Sequence, residues 1–463
     1  MGLEKNEEIN VKISDTYVIN DRRFFIPFLI LFSILFLFIL YIFGYNMEIN
    51  NMKEVYIDYI EVLSYDLNSN IIDIAIVPNS VQKYCALDNG EELEYINLEN
   101  GKCYLSVPFN KQYVYFKNSY GFISRKLEVN NYVVDLILKD KYYVPLGKEI
   151  NLEENLIKVG NPNVVWLSSG ETLVLNNNRF VSSTSTRMKL VAMNNNIEVA
   201  ETEIVVTDTI VDYPKNFNSS KDFLTCGVFS DDEAKLLDEI LEYRINEAGY
   251  ETRAGAVAAA RFLTLEFPYR ISYYWENGRL NNTGTHYVDG EGRYYHKGLY
   301  LSESKYKDIE ASLQGPAMWG CKMISYEDDP PNFVPGRKYP NGLDCSGFVS
   351  WALLNGGFDV GDRGAGESPS PGQLTDLGDF RLLTTSLINS GEIKVGDLFN
   401  FWGHIAILIG EDDDNYYIAE SLNNYKGLVV KTYSKKSVMK TFKYVVLMDD
   451  VYKEDGNLTD MWY

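Results

Sequence analysis

The sequence predicts a multidomain chain with one transmembrane helix, two all-β modules of the sandwich or immunoglobulin-like kind, and an α+β domain at the C-terminal end. Three observations predict it. An uncharged apolar run fills residues 24–44, short alternating strands broken by Asn and Gly run from about residue 54 to 208, and helical periodicity begins only at Asp231. A length of 463 residues suits two to four domains, and 46% hydrophobic residues suffice for packed cores. The formal charge of −22, from 43 basic and 65 acidic residues, argues against nucleic acid as a main partner and against adhesion to anionic polymers by bulk charge. An anionic substrate would have to be gripped in local pockets.

Residues 24–44, FFIPFLILFSILFLFILYIFG, contain no charge. At ~1.5 Å per residue they cross the ~30 Å hydrocarbon core of a bilayer. A cleaved signal peptide is the competing reading, but the run exceeds the usual apolar length and no small-x-small site follows. Lys5, Lys12, Arg22 and Arg23 precede the run, and Lys53 is the only basic residue close behind it. The positive-inside rule then leaves residues 1–23 as a cytoplasmic tail and puts the chain beyond residue 45 outside the cell, on a single-pass membrane anchor. All five cysteines (Cys85, Cys103, Cys226, Cys321, Cys345) follow the span. An odd number leaves at least one without an intrachain partner. Cys85–Cys103 and Cys226–Cys321 are possible bridges, and a fully reduced set is equally open.

Residues 45–138 read as a β-sandwich module, with IIDIAIV at 71–77, KCYLSV at 102–107, QYVYF at 112–116 and YVVDLIL at 132–138. Residues 139–208 read as a second module: a strand, the turn Trp-Leu-Ser-Ser, a strand, a small-residue stretch and a closing strand. This segment resembles the group 2 bacterial immunoglobulin-like modules, with Trp166 as the core aromatic and Ser168, Ser169 and Gly170 at the turn. Such a module serves as a spacer or as an adhesive surface.

Residues 209–225 are polar with a Pro and read as a linker. The C-terminal domain, 226–463, opens with a helix from Asp231. Ser230 is its N-cap, and Leu236, Leu237, Ile240, Leu241 and Ile245 recur at helical spacing. An Ala-rich helix over about 252–266 ends before Pro268. Residues 270–340 are irregular and aromatic, with Tyr273, Tyr274, Trp275, Tyr294, Tyr295 and Trp319, too long for a plain loop and suggestive of an insertion bordering a site.

The chemistry gathers downstream. In NGLDCSGFVSWALLNGG (341–357) a polar turn leads into a helical face, so Cys345 stands at a helix N-terminus, where the macrodipole and backbone N–H groups favour a thiolate and an oxyanion. By itself such a cysteine is more often a small buried hydrophobe. The chain has three histidines, His286, His296 and His404. His404 opens the apolar strand HIAILIG after Gly403, a poor place for core filler and a good one for facing a cleft. Glu420, on the next strand NYYIAESL, can accept a hydrogen bond from the imidazole and fix its tautomer. His286 and His296 lie ten residues apart with no Cys and no HExxH pattern, so no metal site is expected.

Asp-Cys-Ser-Gly at a helix start, Gly396-Asp397-Leu398, and Gly403-His404 before an Ile-rich strand together resemble the NlpC-type cysteine peptidases, papain-like enzymes that are mostly bacterial cell-wall endopeptidases. The resemblance covers about 226–450. It implies a papain-like α+β domain in which a Cys-bearing helix packs on an antiparallel sheet bearing the His. It further implies Cys345 as nucleophile, His404 as base, a peptidoglycan stem peptide as substrate, and no cofactor. Asp344 and Ser346 would flank the substrate, and Tyr269 would match the family's Pro-Tyr tyrosine near the Cys. The family's third polar residue, on the strand after the His strand, is usually His and sometimes Asn, Gln or Glu. Here Glu420 is the choice and Asn423 the runner-up, with Ala419 aligning about as well. The gap from Tyr269 to Cys345 exceeds the family norm, so the aromatic insertion would reshape the specificity pocket. An amidase or transpeptidase on the same scaffold, or a non-catalytic adhesin with a vestigial peptidase domain, are the rival readings.

Overall fold

The computed structural model describes residues 22–66, 69–90, 92–108, 112–129, 132–159, 164–194, 197–212, 221–273, 297–302, 313–314, 318–325, 335–361, 363–423 and 426–458. Two compact units form. The first takes the chain up to Leu138 with Leu152–Val174 and Val191–Glu201; the second takes Lys139–Asn151, Leu175–Leu190 and everything from Thr202.

In the first unit, helix α1 (Arg22–Lys53) includes a stretch long and apolar enough to cross a membrane, and its side chains from Ile26 to Phe43 are exposed throughout. Among the described residues nothing covers that surface, which water would penalise and lipid would not. The helix runs past residue 44 because its last turns are packed. Tyr45 meets the Phe122 ring, Glu48 accepts from Asn118, and Met52 joins the β core. That core lies between a sheet of strands 57–66, 71–78 and 103–108 and a second sheet of strands 96–97, 84–87, 112–117 and 127–129. Alternate inward residues Ile72, Ile74, Ile76, Val107, Val114 and Phe116 fill it. The Cys85–Cys103 disulfide ties a strand of one sheet to a strand of the other. Trp166 is buried on strand 164–168, and Ser169 and Gly170, both at positive φ, turn that strand into 171–173.

The segment expected as one module, 139–208, is thus shared between both units. The reason lies in its edge. Strand 141–145 runs parallel to 203–207, and Lys141 and Tyr143 are both held by Glu239 of helix α2 (Asp231–Ala248). Tyr243 donates to the Lys141 carbonyl, and Arg244, buried against Glu266, donates to the carbonyl of Tyr143. The stretch expected as a linker, 209–225, is packed at both described ends: Ile210 and Leu224 are buried, Val211 N–H donates to the Glu266 carbonyl, Leu224 N–H donates to the Arg270 carbonyl, and Arg270 N–H donates to the Asp222 carbonyl.

In the second unit, helices α2 and α3 (Arg253–Arg261) pack with helix α4 (Cys345–Asn355) on one face of a six-stranded antiparallel sheet. Its strands are β1 (Asp379–Leu382), β2 (Leu398–Phe401), β3 (His404–Glu411), β4 (Asn415–Leu422), β5 (Gly427–Ser434) and β6 (Tyr444–Leu447), in the order β1-β6-β2-β3-β4-β5. Both faces of β3 are covered. Ile405, Ile407 and Ile409 meet the helices, while Ala406 and Leu408 meet Leu387 and Ile388 of helix α5 (Thr385–Ser390) with Val438 and Phe442. Hence the continuous apolar run there in place of alternation.

Helix α2 starts at a Ser230–Glu233 capping box and α3 at Thr252. The alanines of α3 are all buried and let α4 approach closely: a Cβ at Gly356 would lie 2.6 Å from Ala256 Cα. A π-helical turn, Phe262–Glu266, ends this helix before Pro268. Of the aromatic insertion, Tyr300 stacks edge-on to Trp319, which stacks edge-on to Trp351 of α4. The Cys226–Cys321 disulfide closes that region. Tyr274, Trp275, Tyr294, Tyr295, His286 and His296 lie outside the described residues.

Arg253 bolts the frame together. Its guanidinium is buried against Asp397 at 2.8 Å and reaches Asp449 and the Val395 carbonyl. Burial pushes the Asp397 carboxyl up, opposed by Arg253 and by the N–H groups of Lys394 and Met448. Removing one partner of a buried pair leaves an unpaired charge. Arg253→Ala should therefore destabilise this unit by about 3–5 kcal/mol in denaturant melts. Arg381→Ala, whose partners Asp379 and Glu392 are exposed, should leave the midpoint nearly unchanged.

Candidate active site

Cys345 is the first residue of α4. Its N-cap is Asp344, in extended backbone, whose carboxylate accepts from Gly347 N–H at 2.7 Å and from Ser346 Oγ at 3.1 Å. Asp344 and Ser346 are 4% and 2% exposed. What they visibly do is hold the turn that presents Cys345, whose thiol is 5% exposed at the positive end of the helix.

The turn before the helix is clamped from two sides. Leu343 N–H donates to the carbonyl of Ser272, and the Leu343 carbonyl accepts from Ser421 Oγ at 2.7 Å. Position 342 must be glycine for this to happen, since a Cβ there would sit 1.9 Å from the Ser272 oxygen.

Strands β2 and β3 deliver the histidine. Phe401 pairs with His404 across the hairpin, and Gly403 supplies the positive φ of the turn. The carbonyl of Gly403 lies 3.8 Å from Cys345 Sγ, so the sulfur sits directly beside the backbone that carries His404. Asn400, fully buried on β2, donates its amide to the His404 carbonyl at 2.9 Å and fixes the strand's start. Phe401 and Phe442 flank the imidazole, and Trp402 at the turn is 78% exposed.

His404 Nε2 is 2.8 Å from Glu420 Oε2 on β4. The carboxylate is 1% exposed, and its other oxygen accepts from Tyr433 at 2.6 Å and pairs with Lys431 at 3.2 Å. Burial pushes this carboxyl up, but the hydrogen bonds from His404 and Tyr433, aided by Lys431, hold it below the usual carboxylate range. An ionised Glu420 keeps the proton on Nε2, leaving Nδ1 as the basic ring nitrogen. Burial raises the Tyr433 phenol, and the adjacent carboxylate adds to the rise, so Tyr433 stays a donor.

Among the residues singled out from sequence, the structure brings Cys345, His404 and Glu420 into one region. Asn423 falls beyond the end of β4 and is exposed, and Ala419 faces the helix-side core. Tyr269 packs edge-on against Phe229 and Phe267, three residues before the Ser272 carbonyl that clamps the cysteine turn; no described contact takes its ring to the sulfur or the imidazole. Sequence reasoning missed Ser421, Asn400, Lys431 and Tyr433. The last two become visible only once β5 is paired to β4, where their side chains reach Glu420. Among the described residues, no group of three or more His, Cys, Asp or Glu is placed to hold a metal ion.

No protein-family model matches the chain, and no curated protein matches it. Several solved structures share a weak likeness. The tandem Ig repeats of Dlar match at 9% identity and a TM-score of 0.14, over 30% of this chain and 89% of that one. The N-terminal part of the bacterial S-layer protein SbsC matches at 11% identity and a TM-score of 0.14, over 33% of this chain and 44% of that one. SGBP-B of a Bacteroides ovatus mixed-linkage glucan utilization locus, solved with a mixed-linkage heptasaccharide, matches at 12% identity and a TM-score of 0.12, again over 33% and 44%. Scores this low assign neither fold nor activity.

Because Glu420 fixes the tautomer of His404, Glu420→Gln should preserve the fold while slowing iodoacetamide modification of Cys345 at neutral pH by about 10²-fold, in line with the worth of a positioned general base. Modification as fast as in the wild type would show that Glu420 is a structural residue only.

Proposed function

We propose that the C-terminal unit is a cysteine peptidase that cuts peptidoglycan stem peptides, built on a papain-like α+β domain and held outside the cell by α1 as a single-pass anchor. The observation that carries this reading is the Cys345 sulfur at the start of α4, 3.8 Å from the carbonyl next to His404, whose Nε2 is engaged by a buried, ionised Glu420. The combined resemblance of Asp344–Gly347, Gly396–Leu398 and Gly403–His404 to NlpC-type peptidases supplies the substrate class.

In this reading His404 Nδ1 takes the proton of Cys345, and the thiolate attacks an amide carbonyl. The N-terminal end of α4 stabilises the oxyanion. His404 then protonates the leaving amine, and water, activated by the same imidazole, hydrolyses the thioester. Glu420 stays ionised throughout and stabilises the imidazolium, with Tyr433 and Lys431 sharing its charge. Two disulfides, Cys85–Cys103 and Cys226–Cys321, support an oxidising location outside the membrane. They also leave Cys345 as the single free thiol.

The test is incubation of the full chain in detergent with purified peptidoglycan, beside Cys345→Ala, with products identified by mass spectrometry. Stem-peptide fragments from the wild type alone are expected. Cross-linked peptides formed with an added amine acceptor would reassign the chain to acyl transfer. Wall material retained without cleavage, equally by Cys345→Ala, would favour an adhesin.

A further inference from the structure

A cavity of about 180 Å³ lies behind the sheet edge, between the π-helical turn, residues 269–270 and strand β5. Three cations line it, Lys221, Arg270 and Lys431, together with Tyr269, and none of its lining residues is acidic. In a chain of net charge −22 that sign is against the prevailing composition.

The three cations are in different states. Lys221 is spoken for: its ammonium donates to the carbonyls of Thr264, Leu265 and Phe267 at 2.6–3.0 Å, closing the end of the π turn. Burial pulls its pKa down to about 7, and Glu266 partly opposes that fall. Lys431 pairs with Glu420. Arg270 has neither. Its guanidinium carbon lies 4.0 Å from the centroid of the Phe223 ring, and the group makes no side-chain hydrogen bond or ion pair among the described residues; its Nε–H is buried without an acceptor. A buried donor left without an acceptor is costly, and a guanidinium offers its fork of N–H groups to a planar, bidentate acceptor. The other walls are aliphatic, including Leu263 and Val430. The cavity is too small for a sugar chain and suits a short aliphatic dicarboxylate, whose two ends can each meet one of the lining basic residues.

We propose that this cavity binds an aliphatic carboxylate through Arg270, and that Lys431 couples its occupancy to the pair Glu420–His404. An anion seated between Arg270 and Lys431 competes with Glu420 for the Lys431 ammonium. Losing that neighbour changes the charge balance on Glu420, the hydrogen-bond partner of His404, and the change is read at the Cys345 thiol. The coupling rests on the peptidase reading; the binding does not.

Calorimetric titration of the full chain in non-ionic detergent with glutarate, inorganic phosphate and the neutral glutaramide tests it. Saturable one-to-one binding of glutarate is expected, at least ~10-fold tighter than phosphate, with none for glutaramide, and Arg270→Gln should weaken it at least ~10-fold. Arg270→Lys keeps the charge but loses the fork; it should bind several-fold more weakly than wild type, and it carries the test if the Gln variant does not fold. Saturating glutarate should also shift the pH profile of Cys345 alkylation in the wild type and not in Arg270→Gln. No saturable binding, binding unchanged in both variants, or a preference for phosphate would overturn the site. Binding with an unmoved alkylation profile would overturn the coupling alone.

Discussion

A carboxylate removed from water must be given donors, or it takes up a proton and ceases to be a carboxylate. Glu420, 1% exposed in the second unit's sheet, is given three: the imidazole of His404, the phenol of Tyr433 and the ammonium of Lys431. They come from β3 and β5, the two neighbours of β4, so the antiparallel register of these strands is itself a condition of the charge. Shift any one by a residue and the side chains turn to opposite faces, stranding the charge. Much of the local sequence serves this arrangement, from Asn400 fixing the start of β3 to Phe442 stacking on the imidazole.

The nucleophile's half of the site depends on close backbone approach. Gly342 lets the chain pass against Ser272, Ser421 grips the Leu343 carbonyl beside Glu420, and Gly356 with the alanines of α3 lets α4 settle deep against its neighbour. Ser421 and Glu420 are adjacent on β4, so one strand positions both the cysteine turn and the partner of the histidine. Arg253 joins α3 to Asp397 just before β2 and to Asp449 after β6.

The parts of this layout that depend on local sequence were legible before the structure. An uncharged run of membrane length, a polar turn leading into a helix at Cys345, a histidine opening an apolar strand and a glutamate on the next strand each follow from composition or periodicity; that Asp344 caps the helix does not. What was not legible depends on long-range pairing. Lys431 and Tyr433 look like ordinary strand residues until β5 is seen to lie beside β4. Residues 209–225 read as a linker by composition, yet Ile210 and Leu224 are buried and Lys221 closes a helix end, because tertiary contacts override local polarity. The same holds for 139–208, whose edge strand is claimed by Glu239 and Arg244, residues nearly a hundred positions away.

In the proposed reading His404 and the start of α4 hold Cys345 as a reactive thiolate. Because Cys345 is the single free cysteine, ultraviolet titration of the thiolate in the full chain reads this group directly. The wild-type thiol should ionise well below the ordinary ~8.5 and return toward that value in His404→Ala. A wild-type thiol that titrates at or above ~8.5, unmoved by His404→Ala, would contradict that reading.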